Sequence, residues 1–147
     1  MNAKQYLKQL RRLETRINAN SNELERLRAL ATSSTAALSK GKGKTSGSAD
    51  IIGNTVARII DLENLINLQN NGLIKLRADI KKRIDNVPDD TLQTILQLRY
   101  SNFKGWEQIA DEMNYSVRQT TRLHGDALKL FGELNKDVLE CPIDNAI

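Results

Sequence analysis

The sequence predicts an all-α protein, in which a long N-terminal helical hairpin or coiled coil precedes a three-helix domain with a helix-turn-helix arrangement. Apolar residues recur at steps of three, four and seven over two long segments, which is the spacing of amphipathic helices. Aromatic residues make up only 4% of the 147 residues, so the core must be mostly Leu and Ile. That composition favours helices that pack through aliphatic stripes.

The first predicted helix runs from about Ala3 to Ala31. Its apolar stripe consists of Leu7, Leu10, Leu13, Ile17, Leu24, Leu27 and Leu30. The stripe is too narrow to form a core alone, so the helix needs a partner helix. The first residues also lack the uninterrupted apolar stretch of a signal peptide.

Residues 32–50 break the helical pattern, because Ser, Thr, Gly and Lys dominate there. We predict a flexible basic linker or hairpin tip, which either contacts phosphates or is only a tether. The sequence GKGKT within it is similar to a phosphate-binding loop. The Walker spacing requires a glycine five positions before Gly43, however, and that position is Leu38. No nucleotide or other cofactor is therefore predicted.

A second helix is predicted from about Asp50 to Asp85, with Asp50 as its N-cap. Its stripe is Ile52, Val56, Ile59, Leu62, Ile66, Leu73, Leu76, Ile80 and Ile84. Two matched amphipathic helices joined by a loop form either an antiparallel hairpin or part of an oligomeric coiled coil. Both arrangements stay open, so a homo-oligomer through the N-terminal helices is one predicted partnership.

The segment around Pro88 marks a predicted domain boundary, since proline suits only the first turn of a helix. The predicted domains are 1–86, 87–135 and a tail, 136–147. Residues 1–86 contain 16 Lys/Arg against 8 Asp/Glu, whereas residues 87–147 contain 6 against 10. A basic N-terminal half suits a polyanionic partner, although a solvated coiled-coil surface would look the same.

Three helices are predicted after the boundary, at about Pro88–Ser101, Trp106–Met113 and Val117–Leu134. The second should bury Trp106, Ile109, Ala110 and Met113. The third should bury Thr120, Leu123, His124, Ala127, Leu128 and Phe131. A short helix, a three-residue turn and a longer helix form the helix-turn-helix arrangement, although a structural three-helix domain can have the same spacing.

The opposite face of the third helix carries the candidate DNA-binding residues. Arg and Gln make bidentate contacts to guanine and adenine, and here they lie in the first turns of the helix. We expect residues 117–131 to enter the major groove of double-stranded DNA. The candidates are Ser116, Val117, Arg118, Gln119, Thr121 and Arg122, together with Lys104.

The same segment resembles region 4 of sigma-70-type sigma factors. The resemblance rests on Leu98-Arg99-Tyr100, Trp106-Glu107-Gln108-Ile109-Ala110, Met113, Ser116 and Ala127-Leu128-Lys129. It covers about 45 of the 147 residues. The whole layout is similar to sigma-like regulators of phages and prophages of Gram-positive bacteria, including the ArpU-type late regulators. This implies a cytoplasmic regulator of phage or prophage promoters, with bacterial RNA polymerase as one candidate partner.

The chain differs in one respect from a complete sigma factor. The residues before the module lack the aromatic cluster expected for opening promoter DNA. An activator or accessory factor is therefore implied, rather than a complete sigma factor. His124 stands where the family usually has an apolar core residue, so we expect a packed histidine.

The composition argues against an enzyme. The chain has one His and one Cys, and no cluster with metal-ligand spacing, so neither a catalytic site nor a metal is predicted. No apolar run approaches the ~20 residues of a membrane span. The alternatives to a DNA-binding regulator are a helical interaction or adaptor protein, and a DNA-packaging protein like the small terminase subunit. In such subunits the DNA-binding module usually comes first.

Overall fold

The computed structural model describes the backbone of residues 1–40 and 46–140, and the side chains of residues 1–33 and 50–140. Over these ranges the fold is all-α, as predicted, and no strand forms. The helices are α1 (Ala3–Lys40), α2 (Ser46–Asp85), α3 (Asp90–Leu96), α4 (Trp106–Met113), α5 (Val117–Leu134) and α6 (Lys136–Glu140), with a π-helical turn at Gln97–Ser101 between α3 and α4.

Both long helices extend into the segment predicted as a linker. Residues 32–40 continue α1 and residues 46–50 open α2, so the prediction of a linker over 32–50 is wrong at both ends. The Thr32 hydroxyl donates to the Arg28 carbonyl at 2.9 Å, which keeps its polar group bonded within the helix. Asp50 lies inside α2 and is not its N-cap. Residues 41–45, which are the GKGKT sequence, lie outside the described residues.

The chain divides into two compact units that do not follow the predicted division at residues 86 and 87. Unit 1 comprises Met1–Leu13 and Leu73–Ile147, and unit 2 comprises Glu14–Gly72. The division lies inside both long helices because the first turns of α1 and the last turns of α2 share a core with the C-terminal helices.

The core of unit 1 combines aliphatic and aromatic side chains from four helices and the π-helical turn. Tyr6 lies 6.2 Å from Phe131, measured between ring centroids. Full burial of large apolar side chains contributes about 1.5–3 kcal/mol each. Its central residues are Tyr6, Leu7 and Leu10 from α1, Ile80 and Ile84 from α2, Leu96 from α3, Tyr100 from the π-helical turn, and Ala127 and Phe131 from α5.

Polar contacts around Arg83 join the end of α2 to the end of α5. The Arg83 guanidinium donates to Asp79 at 3.0 Å and to the Asn135 side chain at 2.9 Å, and the Tyr6 hydroxyl donates to the same Asp79. The next residues form α6, so the predicted tail begins as a helix. Residues 141–147 of that tail lie outside the described residues.

Unit 2 consists of antiparallel portions of α1 and α2. The Asn20 side-chain amide donates to Gln69 at 2.9 Å, and Arg28 pairs with Glu63 at 2.7 Å. The predicted α2 stripe needs one change here, because Val56 is exposed whereas Thr55 is buried. The buried residues of this unit, among the side chains described, are Ile17, Leu24, Leu27, Thr55 and Gln69.

Among the described residues, none of the helices combines the length and apolar character that a membrane crossing requires.

Candidate nucleic-acid interface

The segment that precedes α4 forms the α-helix α3 and then the π-helical turn. Asp89 caps α3 by accepting a hydrogen bond from the Leu92 amide at 2.9 Å, so the helix begins one residue after the cap. The helix predicted at Pro88–Ser101 therefore starts later, and its last turn is the π-helical turn. Such wide turns are rare and often occur at functional sites.

A cluster of aromatic rings joins the π-helical turn to α4 and α5. The Tyr100 hydroxyl and His124 Nε2 share a hydrogen bond of 2.8 Å, and the Trp106 ring meets the His124 ring at 4.6 Å in an edge-on arrangement. The Arg99 guanidinium lies 4.4 Å above the Trp106 ring, within cation–π distance. The prediction that His124 packs in the core is confirmed, since only 7% of it is exposed.

The surroundings of His124 and Tyr100 keep both side chains neutral at pH 7. Burial, reinforced by the charges of Lys4 and Arg99, lowers the pKa of His124 to about 4. Burial raises the pKa of Tyr100 to about 12. Both side chains are buried, and the hydrogen bond between them joins the π-helical turn to α5.

The turn between α4 and α5 has the length that the sequence predicts. Asn114 ends α4 with a left-handed φ of 57°, which asparagine tolerates better than most residues. The Tyr115 amide donates back to the Ala110 carbonyl at 3.0 Å. The Ser116 hydroxyl accepts from the Gln119 amide at 3.1 Å and thereby caps α5. Both helix bounds equal those predicted, Trp106–Met113 and Val117–Leu134.

The two faces of α5 differ sharply in exposure. Thr120, His124, Ala127 and Phe131 are buried, as predicted, whereas Leu123 and Leu128 are half-buried. In α4, Ile109 and Ala110 are buried, but Trp106 and Met113 are only half-buried. At 100° per residue, the positions opposite the buried face of α5 are Arg118, Arg122, Gly125, Asp126, Lys129 and Glu133, so this face carries two acidic side chains beside three cationic ones.

Arg118 and Arg122 are the two arginines of α5. Both residues are exposed. Neither guanidinium group makes a hydrogen bond or an ion pair with the part of the chain that the structure describes. They lie one turn apart in the first half of the helix, so both can contact the same partner.

The other predicted site residues have different surroundings. Ser116 is engaged as the cap of α5, and Thr121 donates its hydroxyl to the carbonyls of Val117 at 3.1 Å and Arg118 at 3.0 Å. Val117 is 43% exposed, and the Gln119 side chain is exposed beside the arginine pair.

Lys104 does not join this group through any described contact. Its ammonium pairs with Glu112 at 2.6 Å, and only 25% of the side chain is exposed. Its charge is therefore already neutralised within unit 1, which leaves the exposed face of α5 as the part of the candidate site with open cations.

The charge of unit 1 differs from that of the segment 87–147 taken alone. Unit 1 carries 15 Lys/Arg against 12 Asp/Glu, a net charge of +3, whereas residues 87–147 carry 6 against 10. The additional cations come from both long helices. The first turns of α1 contribute Lys4, Lys8, Arg11 and Arg12, whose spacing of four, three and one along the helix was visible in the sequence.

Gly125 lies in the middle of the exposed face of α5. A Cβ atom at this position would meet no described atom within 4 Å. Glycine inside a helix costs about 1 kcal/mol relative to alanine. Packing among the described residues therefore does not explain this glycine.

The described residues hold no group of three or more His, Cys, Asp or Glu side chains arranged to bind a metal ion. Comparison with protein-family models, with curated proteins and with solved structures finds no match to this chain.

Proposed function

We propose that this chain is a sequence-specific DNA-binding transcriptional regulator, in which α4 and α5 act as a helix-turn-helix and α5 enters the major groove. The observation that carries the proposal is the pair of exposed guanidinium groups at Arg118 and Arg122, which lack partners among the described residues. They project from a helix whose opposite face is buried. A rigid helix with Arg in its first turns suits bidentate contacts to guanine.

The electrostatics of unit 1 support the same proposal. Most of the affinity of a protein for duplex DNA comes from phosphate neutralisation. A segment with the acidic balance of residues 87–147 would bind weakly alone. The first turns of α1 and the last turns of α2 give unit 1 its net charge of +3, which is favourable for a polyanion.

The biological setting of the proposal comes from the resemblance to sigma region 4 and to phage late regulators. On that basis the target is a phage or prophage promoter in the cytoplasm of a bacterial host, and bacterial RNA polymerase is a partner. The residues proposed to contact bases are Arg118, Gln119 and Arg122. Ser116 and Thr121 are proposed to act through the geometry of the start of α5.

The test is a binding titration with a pool of random 30-base-pair duplexes and with promoter duplexes from the source phage, at two salt concentrations. We expect affinity to fall with salt, as phosphate contacts require. The double variant Arg118→Ala/Arg122→Ala should lose at least about tenfold in affinity for the best promoter duplex, since each bidentate contact contributes ~1–3 kcal/mol.

The matched control is Arg26→Ala/Arg58→Ala, which removes the same charge from exposed positions of unit 2. If both double variants lose the same affinity, the binding is only electrostatic and the recognition-helix proposal is wrong. Wild-type protein that binds no duplex at low salt would overturn the proposal entirely.

A second candidate is an interaction or adaptor protein, and one observation in unit 2 favours it. Within unit 2, α2 exposes large apolar side chains at several positions around the helix, and two of them, Ile60 and Leu68, lie opposite its buried residues Thr55 and Gln69. Large exposed apolar side chains mark association sites when they cluster. Those of α2 in this unit are Ile51, Val56, Ile60, Leu65 and Leu68, each at least 39% exposed. Light scattering of the full chain and of Ile60→Glu/Leu68→Glu tests this candidate. A wild-type monomer that remains monomeric at high concentration argues against self-association through these helices.

A further inference from the structure

A cleft in unit 1 combines positive charge with apolar walls. It has a volume of about 310 Å³. Three of its lining residues are cationic and none is acidic. The lining residues are Leu7, Lys8 and Arg11 from α1, Arg99 and Tyr100 from the π-helical turn, and Phe103 and Gly105 from the loop before α4. We refer to it as the Phe103 cleft.

Two arginines of the cleft are held in place by aromatic rings. The Arg11 guanidinium lies 5.1 Å from the centroid of the Phe103 ring. The Arg99 guanidinium stacks on Trp106 at 4.4 Å and donates to the Lys104 carbonyl at 2.9 Å. A guanidinium stacked by its face keeps its edge available for a carboxylate or phosphate. Arg11 and Lys8 form no ion pair with the described part of the chain.

The wall of the cleft is formed by a residue in an unfavourable backbone conformation. Phe103 has a φ of 56°, in the left-handed region that bulky side chains rarely adopt. The turn is closed by the Lys104 amide, which donates to the Leu98 carbonyl at 3.0 Å. Glycine or asparagine would meet this backbone requirement with less strain. Such strain is typical of binding sites, and here the phenylalanine ring supports Arg11.

We propose that the Phe103 cleft binds an acidic segment of a partner protein, one in which carboxylates flank a bulky apolar side chain. The carboxylates would pair with Lys8, Arg11 and Arg99, and the apolar side chain would contact Leu7, Tyr100 and Phe103. The volume lies at the lower limit of ligand pockets, ~300–1,000 Å³, which fits a side chain better than a cofactor. A DNA phosphate would leave the apolar walls unused. This site goes beyond DNA binding and does not depend on it.

The single tryptophan of the chain gives a direct readout, because Trp106 stacks on Arg99 at the edge of the cleft. The probe is the blocked peptide Asp-Glu-Leu-Phe-Glu-Asp, titrated into the full chain at low salt while Trp106 fluorescence is recorded. A peptide of equal charge, Asp-Glu-Gly-Gly-Glu-Asp, is the control ligand. We expect a saturable change with the first peptide and affinity at least about tenfold weaker for the second.

Paired variants assign the binding to the cleft. Lys8→Ala/Arg11→Ala should weaken the first peptide at least about tenfold. Lys4→Ala/Arg12→Ala, which removes the same charge from the same helix outside the cleft lining, should change it less than about twofold. Thermal melts check that both variants fold. These four positions are exposed, so neither variant disturbs the core.

Three results would overturn the proposal. The first is an absence of any saturable change with the Leu-Phe peptide. The second is equal affinity for the two peptides, or equal losses in the two double variants, because either marks general attraction of anions. The third is displacement of the peptide by a 20-base-pair duplex in wild-type protein but not in Lys8→Ala/Arg11→Ala, which would assign the cleft to nucleic acid.

Discussion

Units 1 and 2 are built from the same two long helices, but they bury different kinds of side chain. Unit 1 buries aromatic and aliphatic residues that come from distant parts of the chain, such as Tyr6, Ile84 and Phe131. Unit 2 buries Leu24 and Leu27 among few others, and a polar hydrogen bond between Asn20 and Gln69 stands beside them. Large apolar side chains of α2 remain exposed in that unit.

Unit 1 is the part of the chain in which we expect a fixed geometry, because its core side chains come from several helices. Interlocked core side chains hold α5 in one orientation, which a helix needs if it is to present Arg118 and Arg122 to bases. The hydrogen bond between Asn20 and Gln69 contributes only about 0.5–1.5 kcal/mol net, and the buried Gln69 Nε2 has no hydrogen-bond partner among the described residues. Unit 1 therefore has the fixed geometry that the proposed DNA binding requires, whereas unit 2 has the exposed apolar side chains on which the alternative, an interaction protein, rests.

Removing the ring of Phe131, which is fully buried in unit 1, should destabilise the protein more than the other substitutions considered below. We expect Phe131→Ala to lower the free energy of unfolding by about 3–5 kcal/mol, because the cavity adds to the lost burial. Urea unfolding followed by circular dichroism measures it.

The matched control is Leu68→Ala in unit 2, where the side chain is 56% exposed. It should change the free energy of unfolding by less than about 0.5 kcal/mol. Similar effects of the two substitutions would contradict the contrast between a packed unit 1 and an open surface on unit 2.

The next effect is a pH dependence that originates in unit 1. Burial lowers the pKa of His124 from its ordinary value of 6.5 to about 4 in the folded protein. The contribution of the neutral His124 imidazole to the free energy of unfolding is therefore fully present above pH 6.5. It is lost as the pH falls toward 4, because His124 of the unfolded chain takes up its proton at a higher pH than His124 of the folded protein. We expect a loss of ~2.5 kcal/mol between pH 7 and pH 4.5.

Urea unfolding of His124→Leu over the same pH interval gives the part of the loss that carboxylates cause. Wild-type protein should lose more stability than this variant. Equal losses would mean that His124 is accessible to protons in the folded state, and that the cluster with Tyr100 and Trp106 is looser than described.

The smallest expected effect concerns the exposed face of α5. Gly125→Ala should raise the free energy of unfolding by about 1 kcal/mol, because alanine is the better helix former and its Cβ meets open space. If α5 enters the groove at this face, the same variant should weaken DNA binding, since the methyl group separates helix and duplex.

Gly132→Ala is the control within the same helix. Its Cβ would touch Ala3 and Leu139 inside unit 1 at an ordinary 3.9 Å. It should therefore leave DNA affinity unchanged. Unchanged affinity in both variants would mean that the face around Gly125 does not approach DNA closely.

Local sequence patterns predicted the features that depend only on neighbouring residues. The apolar spacing of α4 and the cap at Ser116 act within a few residues, so the bounds of α4 and α5 follow from the sequence. The exposed positions of Arg118 and Arg122 follow from the same periodicity. The predicted helix ends at about Ala31, too early for α1, because Ser and Thr favour caps and loops. Residues 32–40 also contain Ala and Leu, which favour a helix.

The remaining features depend on contacts between residues far apart in the sequence. The composition of unit 1 rests on contacts such as Tyr6 with Phe131, and no local pattern pairs them. The π-helical turn accompanies the hydrogen bond of Tyr100 to His124. Phe103 adopts a conformation that its residue type disfavours, so sequence reasoning could not place the cleft.

Selection of binding sites from random duplex DNA can show whether the face of α5 around Arg118 contacts bases. Wild-type protein and Arg118→Ala are selected in parallel and the bound duplexes are sequenced. We expect an enriched motif with wild-type protein, and loss of base preference at one position of that motif with the variant. Selection that yields no motif with wild-type protein, or the same motif at every position with both proteins, would contradict the account.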